Sequence, residues 1–304
     1  MARIAELWFY PVKGLAGISV EAAEVGVAGV RFDRELMLVD PRDGVFHSQR
    51  TLPAMAAVRT AVSDDGAVLR FSVDGAADLV VEVAAEGPRR DVSLFGKWFG
   101  QGVDQDPLAG KWFTEVLDRP ATLVRVTPEH HRPGWGVHPG QSGFGDAHAL
   151  LITSPASLDE LNSRILETGG EALPMNRFRP NLVVSGWPEP HTEDKVLKAT
   201  IGAAEIGYSS RSIRCAVPTI DQTTGVRSGP EPTRTLATYR REPTYGGGVS
   251  FGMKAAVLTP GVVSVGDEFV VTDWLPEGPD PAPATREPKA GQKTREPTAG
   301  PKSR

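Results

Sequence analysis

The sequence predicts a mostly β fold with some α-helix. Twenty-six prolines and 33 glycines among 304 residues imply many turns and few long helices. Between the turns the apolar residues are largely β-branched or aromatic and partly alternate, as half-buried strands do. Helical spacing is clear in two places, from Pro107 to Leu117 and from Ser154 to Gly169.

Taken in order, RIAELWFYPVK and GISVEAAEVGVAGV read as strands within residues 3–40, followed by RELMLVD and the turn DPRDG. AVLRFSVDG and DLVVEVAA read as two strands joined by a glycine-containing loop. Leu108, Trp112, Phe113 and Val116 then share a helix face, with Asp106 as N-cap and Pro107 at the first helical position. Pro128 to His148 reads as a long loop, of a length that is usually functional or disordered. In the next helix Ser154 or Ser157 is the N-cap, and Ser157 with Glu160 forms a capping box. Leu158, Leu161 and Ile165 face inward, and Gly169 is the stop. NRFRPNLVVSG leads into a strand, and KATIGAAEIGYSS reads as another. The glycine-rich Tyr245 to Gly252 reads as a loop closing over a ligand, before strands in KAAVLTP and GVVSVGDEFVV. From about residue 275 apolar residues nearly vanish and TREPKAGQK repeats as TREPTAGPK. Such a tail cannot offset its ordering entropy and is expected to be disordered.

Composition narrows the function. A net charge of −5 argues against a general nucleic-acid binder. The N-terminus lacks the apolar core of a signal peptide, and no run of about 18 apolar residues predicts a membrane span. One cysteine excludes an internal disulfide and a built-in iron–sulfur cluster, and fits a reducing, cytoplasmic compartment.

That cysteine, Cys215, lies in RSIRCAVPTIDQTTG beside Arg211 and Arg214. Neighbouring cations favour a thiolate, the form that attacks or binds a soft metal. Lys13, Arg34, Arg50, Arg177, Arg179 and Arg214 fall beside turns or strand ends, as a phosphorylated ligand would need, and Asn181 adds an amide. His130, His131, His138 and His148 match no zinc-site spacing. GVSFG has the nucleophile-elbow pattern around Ser250, but no histidine follows it, against the required order. No P-loop is present, and no GxGxxG sits between a clear strand and helix.

In order, YPVKG (10–14), FDRELMLVD (32–40), SQR (48–50), SLDELNSR (157–164), FRPNLVVSG (178–186), RCAVPTIDQTTG (214–225) and FGMKAAVLTPGVVSVGDEF (251–269) resemble the MOSC family. The similarity is to the subgroup with an N-terminal MOSC β-barrel-like domain, which includes the mitochondrial amidoxime-reducing components and single-chain bacterial relatives. It implies a MOSC N-terminal domain over 1–120, a MOSC β-barrel domain over 125–273 and a tail over 275–304, with the site in the cleft between the domains. It also implies molybdenum cofactor, a molybdenum held by the dithiolene of a phosphorylated pterin. Cys215 stands at the metal-ligand position and Asp221 at the motif's acidic position, both assigned to catalysis. Lys13, Gly14, Arg34, Ala147, His148, Arg179, Asn181 and Arg214 stand at cofactor-binding positions. The sequence departs from the mitochondrial relatives at Gly14, Ala147, His148 and Ile213, where hydroxyl residues are replaced.

The resemblance thus implies an oxidoreductase that reduces N-hydroxylated, or N- or S-oxide, small molecules. Electrons would come from a separate ferredoxin-, flavodoxin- or cytochrome b5-like donor, because no cysteine-bearing domain or mitochondrial anchor accompanies the site. The alternative is a sulfur carrier holding a persulfide on Cys215. A third reading is a carrier that hands cofactor to other enzymes. Pyridoxal phosphate binding is also attached to the family, but no lysine motif here singles out a Schiff base.

Overall fold

The β-branched segments become strands, and the glycines and prolines between them become turns. The structure, a computed structural model, describes residues 1–95, 97–278 and 280–281, and for 97–99 the backbone alone. Among these residues the largest sheet has nine strands. Eight lie in the order Phe269–Trp274, Val196–Ile201, Ala204–Ile213, Gly248–Thr259, Leu150–Thr153, Leu182–Ser185, Arg3–Phe9 and Ile18–Val20, and Arg241–Glu242 pairs beside this path. Leu150–Thr153 and Leu182–Ser185 run parallel, and the helix Pro155–Glu167 supplies the crossover that parallel strands require. The chain's first strand is therefore inserted among strands from its C-terminal half, and Ala22–Gly26 pairs with Gly261–Ser264. The sheets do not divide at residue 120.

A second sheet, in the order Arg89–Leu94, Lys97–Asp104, Thr122–Val126, Leu36–Val39 and Val12–Lys13, carries much of the N-terminal half. Against it the helix Pro107–Leu117 buries Ala109, Phe113 and Leu117 in one cluster with Leu38, Phe71 and Leu123. Its expected cap is present: the Asp106 carboxylate accepts from the Leu108 N–H at 2.8 Å. Leu108 itself is exposed, so the apolar face is narrower than the spacing suggested.

Several local expectations change. Ser154, not Ser157, caps the helix Pro155–Glu167. Ser157 lies in the first turn and donates to buried Glu193 at 2.7 Å, while Glu160 pairs with Arg164, so the capping box does not form. KATIGAAEIGYSS is a hairpin, turned at Gly202 with φ +56°. Gly248–Thr259 is one long strand rather than a loop followed by a strand. The tail begins later than composition suggested. The Leu275 N–H bonds Lys195 O, and buried Asp280 accepts from the Arg211 N–H and the Tyr245 hydroxyl. The expected disorder from residue 282 lies outside the described residues. Among those residues no helix is long and apolar enough to cross a membrane.

Glu193 sits fully buried behind the second helix and accepts from Ser154 and Ser157. Burial, with Asp194 beside it, pushes its carboxyl up to about 7. The folded state then holds that proton more tightly than the unfolded chain, so this group's contribution to stability falls as pH rises from the ordinary carboxylate range toward neutral. Urea denaturation at about pH 5 and about pH 7.5 should show a smaller loss in Glu193→Gln than in wild type, and an equal loss would place the titration elsewhere.

Candidate functional site

Four breaks between strands bring the cationic residues together. Lys13 ends the short strand Val12–Lys13, and Gly14 follows with φ +86°. A side chain at position 14 would be strained there and would press on the end of Met55. Arg34 and Arg179 both sit in left-handed backbone, with φ of 52° and 57°, each just before a strand begins. Arg214 and Cys215 follow the end of Ala204–Ile213. Asn181 is buried and ties these breaks together. Its Oδ1 accepts from the Leu151 N–H at 3.1 Å and from Arg34 at 3.3 Å, and its Nδ2 donates to Trp8 O. Gln49 and Gln222 exchange two amide hydrogen bonds of 3.0 and 3.1 Å. Gln49 also donates to Gly14 O, and Gln222 accepts from Arg179.

The result is one cleft with about 970 Å³ of empty space, counting its open mouth. Lys13, Gly14, Arg34, Ala147, His148, Arg179, Asn181, Arg214 and Cys215 all line it. Among the described lining residues there are six cations, with Arg50 and Lys254 as the fifth and sixth, against one carboxylate, Asp146. Cys215 is exposed.

The charges are strongly coupled. Burial lowers the Lys13 pKa, opposed by its ion pair with Asp146. What burial Asp146 has works to raise its pKa, but Lys13, Lys254 and Arg34 outweigh it and hold the group well below the usual carboxylate range. Burial likewise works against the charge on Arg34, yet Asp33 at 2.5 Å more than compensates. Among the described residues Arg179 has no carboxylate partner of this kind, and burial lowers it to about 10, so it stays charged at neutral pH. Burial also lowers Lys254, to about 8, with Asp146 opposing and Arg214 assisting. Tyr10 lies against both central arginines. Its ring centroid lies 4.5 Å from the Arg34 guanidinium and 4.2 Å from that of Arg179, and its hydroxyl donates to Pro180 O at 3.0 Å.

Among the described residues, three buried polar atoms of the cleft lining have no partner: Arg179 Nη2, Arg214 Nε and His148 Nδ1. His148 Nε2 lies 2.7 Å from Trp135 O, which can only accept, so Nε2 carries the proton and Nδ1 is an acceptor. Burial lowers the His148 pKa to about 3, so this ring is neutral. The wall thus offers unpaired donors to an anion and one unpaired acceptor to an N–H or O–H group.

Other candidates lie elsewhere. The structure does not bring Asp221 to the cleft. Its carboxylate is used by the N–H groups of Thr223 and Thr224, the Thr224 hydroxyl and Arg177, which together hold the turn. Arg177 is buried on that turn with Ser228 and does not line the cleft. Ser250 is buried in its strand between Glu242 and Arg240, and Tyr245 to Gly252 supply no lining residue. Among the described residues no cluster of three or more His, Cys, Asp or Glu is placed to hold a metal. The sequence reading missed Tyr10, although it stands inside YPVKG, and Lys254, two residues past Gly252. It also missed the Gln49–Gln222 pair and the rim of Phe46 and Phe95.

A surplus of buried positive charge should attract a multivalent anion. Inorganic pyrophosphate at fixed ionic strength is expected to raise Tm, with the rise reduced in high salt and lost in Arg179→Gln. An equal rise in wild type and variant would place the anion outside this cleft.

The chain was compared with known proteins. Residues 1–120 match the MOSC N-terminal beta barrel domain and residues 139–270 match the MOSC domain. Mitochondrial amidoxime-reducing component 1 of Mus musculus is 31% identical over 88% of this chain and 81% of its own length. Molybdenum cofactor sulfurase of Oryza sativa subsp. japonica is 29% identical over 93% of this chain, which spans 36% of that protein. Among solved structures, the YUAD protein from Bacillus subtilis superposes with a TM-score of 0.36 at 12% identity, covering 88% of this chain and 93% of that one. The two domain matches and the extended similarity to the amidoxime-reducing components show that the chain belongs to the MOSC-domain family.

Proposed function

We propose that this protein is a molybdenum-cofactor-binding oxidoreductase that reduces N-hydroxylated, or N- or S-oxide, small molecules with electrons from a separate protein. The observation that carries the reading is the exposed Cys215 thiol on a cleft lined by six cations and one carboxylate. The residues present fit the group. A phosphorylated pterin needs donors for its oxyanions and acceptors for its ring N–H groups, and Arg179 Nη2, Arg214 Nε and His148 Nδ1 stand unpaired for both. A metal held by a dithiolene can take a soft protein thiolate as a further ligand, and Cys215 on the cleft wall would offer one.

On this reading Lys13, Arg34, Arg179 and Arg214 hold the anionic part of the cofactor, and Asn181 fixes the backbone breaks that aim them. Gly14 and Ala147 leave room, while His148 accepts a ring N–H. When bound, the cofactor supplies two-electron oxygen-atom chemistry together with one-electron exchange. For an N-hydroxyamidine the balance is simple. Two electrons and two protons enter, the N–O bond breaks, the amidine keeps one proton, and the oxygen leaves as water. A one-electron iron–sulfur, flavin or haem protein is the class of donor required, because one cysteine within these 304 residues builds no cluster of its own. The names of the mitochondrial amidoxime-reducing components support this substrate class.

The exposure of Cys215, with the similarity to a molybdenum cofactor sulfurase, favours a sulfur carrier as the second reading. Molybdenum and pterin content measured on wild type and Cys215→Ala, after expression in a cofactor-competent host, separates the two. The oxidoreductase reading expects near-stoichiometric molybdenum in wild type, reduction of benzamide oxime with a chemical or protein donor, and loss of that activity in the variant. Molybdenum absent from both proteins, with reducible sulfane sulfur on Cys215, would replace it with the sulfur-carrier reading.

A further inference from the structure

The cleft also carries a feature to which the reading above assigns no part in holding the cofactor. Phe46 and Phe95 pack edge to face there, with ring centroids 5.0 Å apart. Phe95 is 44% exposed and sits in left-handed backbone, φ +54°, just beyond the end of Arg89–Leu94. A bulky residue held in that conformation is strained, and strain of this kind concentrates at ligand-binding positions. The Arg50 guanidinium lies over both rings, 5.1 Å from the Phe95 centroid and 5.9 Å from that of Phe46. Arg50 is exposed, and among the described residues its guanidinium makes no hydrogen bond or ion pair. Its main chain is held instead, because Arg50 O accepts from Arg227 at 3.2 Å. Behind the rings Lys13, paired to Asp146, lies 5.5 and 5.6 Å from the same two centroids.

The two rings therefore lie against both a cation that is already neutralised, Lys13, and a cation that is not, Arg50. A guanidinium that rests its face on aromatic rings keeps its edge donors free, and that edge matches a carboxylate bidentately. We propose that this part of the cleft is a substrate subsite selecting planar aromatic molecules that carry a carboxylate. The aryl group stacks on Phe95 and Phe46 while Arg50 takes the carboxylate. The subsite rests on the oxidoreductase reading for which end of the molecule reacts, since the opposite end then points toward Cys215.

The test compares benzamide oxime with its para-carboxy derivative on cofactor-loaded wild type, Arg50→Gln and Phe95→Leu. Wild type is expected to favour the carboxylated oxime about fivefold in kcat/KM, mainly through KM, the size of one partly exposed charge pair. In Arg50→Gln the ratio should fall to near one with molybdenum and pterin content unchanged. Phe95→Leu should raise KM for both oximes. Equal kcat/KM for the two oximes in wild type would overturn the proposal. Loss of molybdenum and pterin in Arg50→Gln would also overturn it, because Arg50 would then belong to the cofactor. If neither oxime is reduced, calorimetric titration with the carboxylated oxime decides. Binding that weakens in Arg50→Gln keeps the subsite and removes the reductase reading, and no binding to wild type removes the subsite.

Discussion

Like charges gathered in a cleft of low dielectric repel one another, and that repulsion is the constraint on which this site is built. Six cations line the cleft with one carboxylate among the described lining residues. The protein tolerates them by three devices. Asp33 and Asp146 neutralise Arg34 and Lys13. The ring of Tyr10 lies against both Arg34 and Arg179 and offers each guanidinium its electron-rich π system. Backbone carbonyls take the remaining donors, as Phe178 O does for Arg214 and Arg179 O for Arg34. What is left over, the unpaired atoms of Arg179 and Arg214, is the part that a bound anion would satisfy.

The sheet topology explains why so many distant residues can contribute. Inserting Arg3–Phe9 beside Leu182–Ser185 places Lys13 and Arg34, from the N-terminal segment, against Arg179 and Asn181. The parallel pair Leu150–Thr153 and Leu182–Ser185 brings Asp146 to His148 to the same cleft, just before its first strand. Cys215 arrives from the far end of a long hairpin strand. Left-handed backbone at Arg34 and Arg179 turns each chain sharply at the point where its guanidinium must face inward. Such turns are unfavourable for residues with a side chain, and here the hydrogen bonds that Arg34 donates to Asn181 and Arg179 donates to Gln222 hold them in place.

Much of this was legible in the sequence because it is carried by residue type and local spacing. Most strands, the Asp106 cap and five cations of the cleft, Lys13, Arg34, Arg50, Arg179 and Arg214, were readable, whereas Arg177 was counted with them and lies on the Asp221 turn instead. Nine residues assigned to the cofactor or metal from motif order, from Lys13 to Cys215, line a single cleft. What was not legible depends on partners far apart in the chain. Asp221 looks like a free acid in TIDQTTG, but local N–H groups and Arg177 consume its oxygens. GVSFG looks like a loop, but pairing with Ala204–Ile213 makes it strand. Tyr10, Lys254 and the Phe46–Phe95 pair carry no motif of their own, and only the fold brings them to the cleft.

Molybdenum-edge X-ray absorption on purified protein, compared with Cys215→Ser, tests the central claim most directly, because it counts the sulfur atoms around the metal without relying on turnover. The account predicts bound molybdenum whose sulfur shell loses one scatterer in the variant. An identical sulfur shell in the two proteins would contradict it.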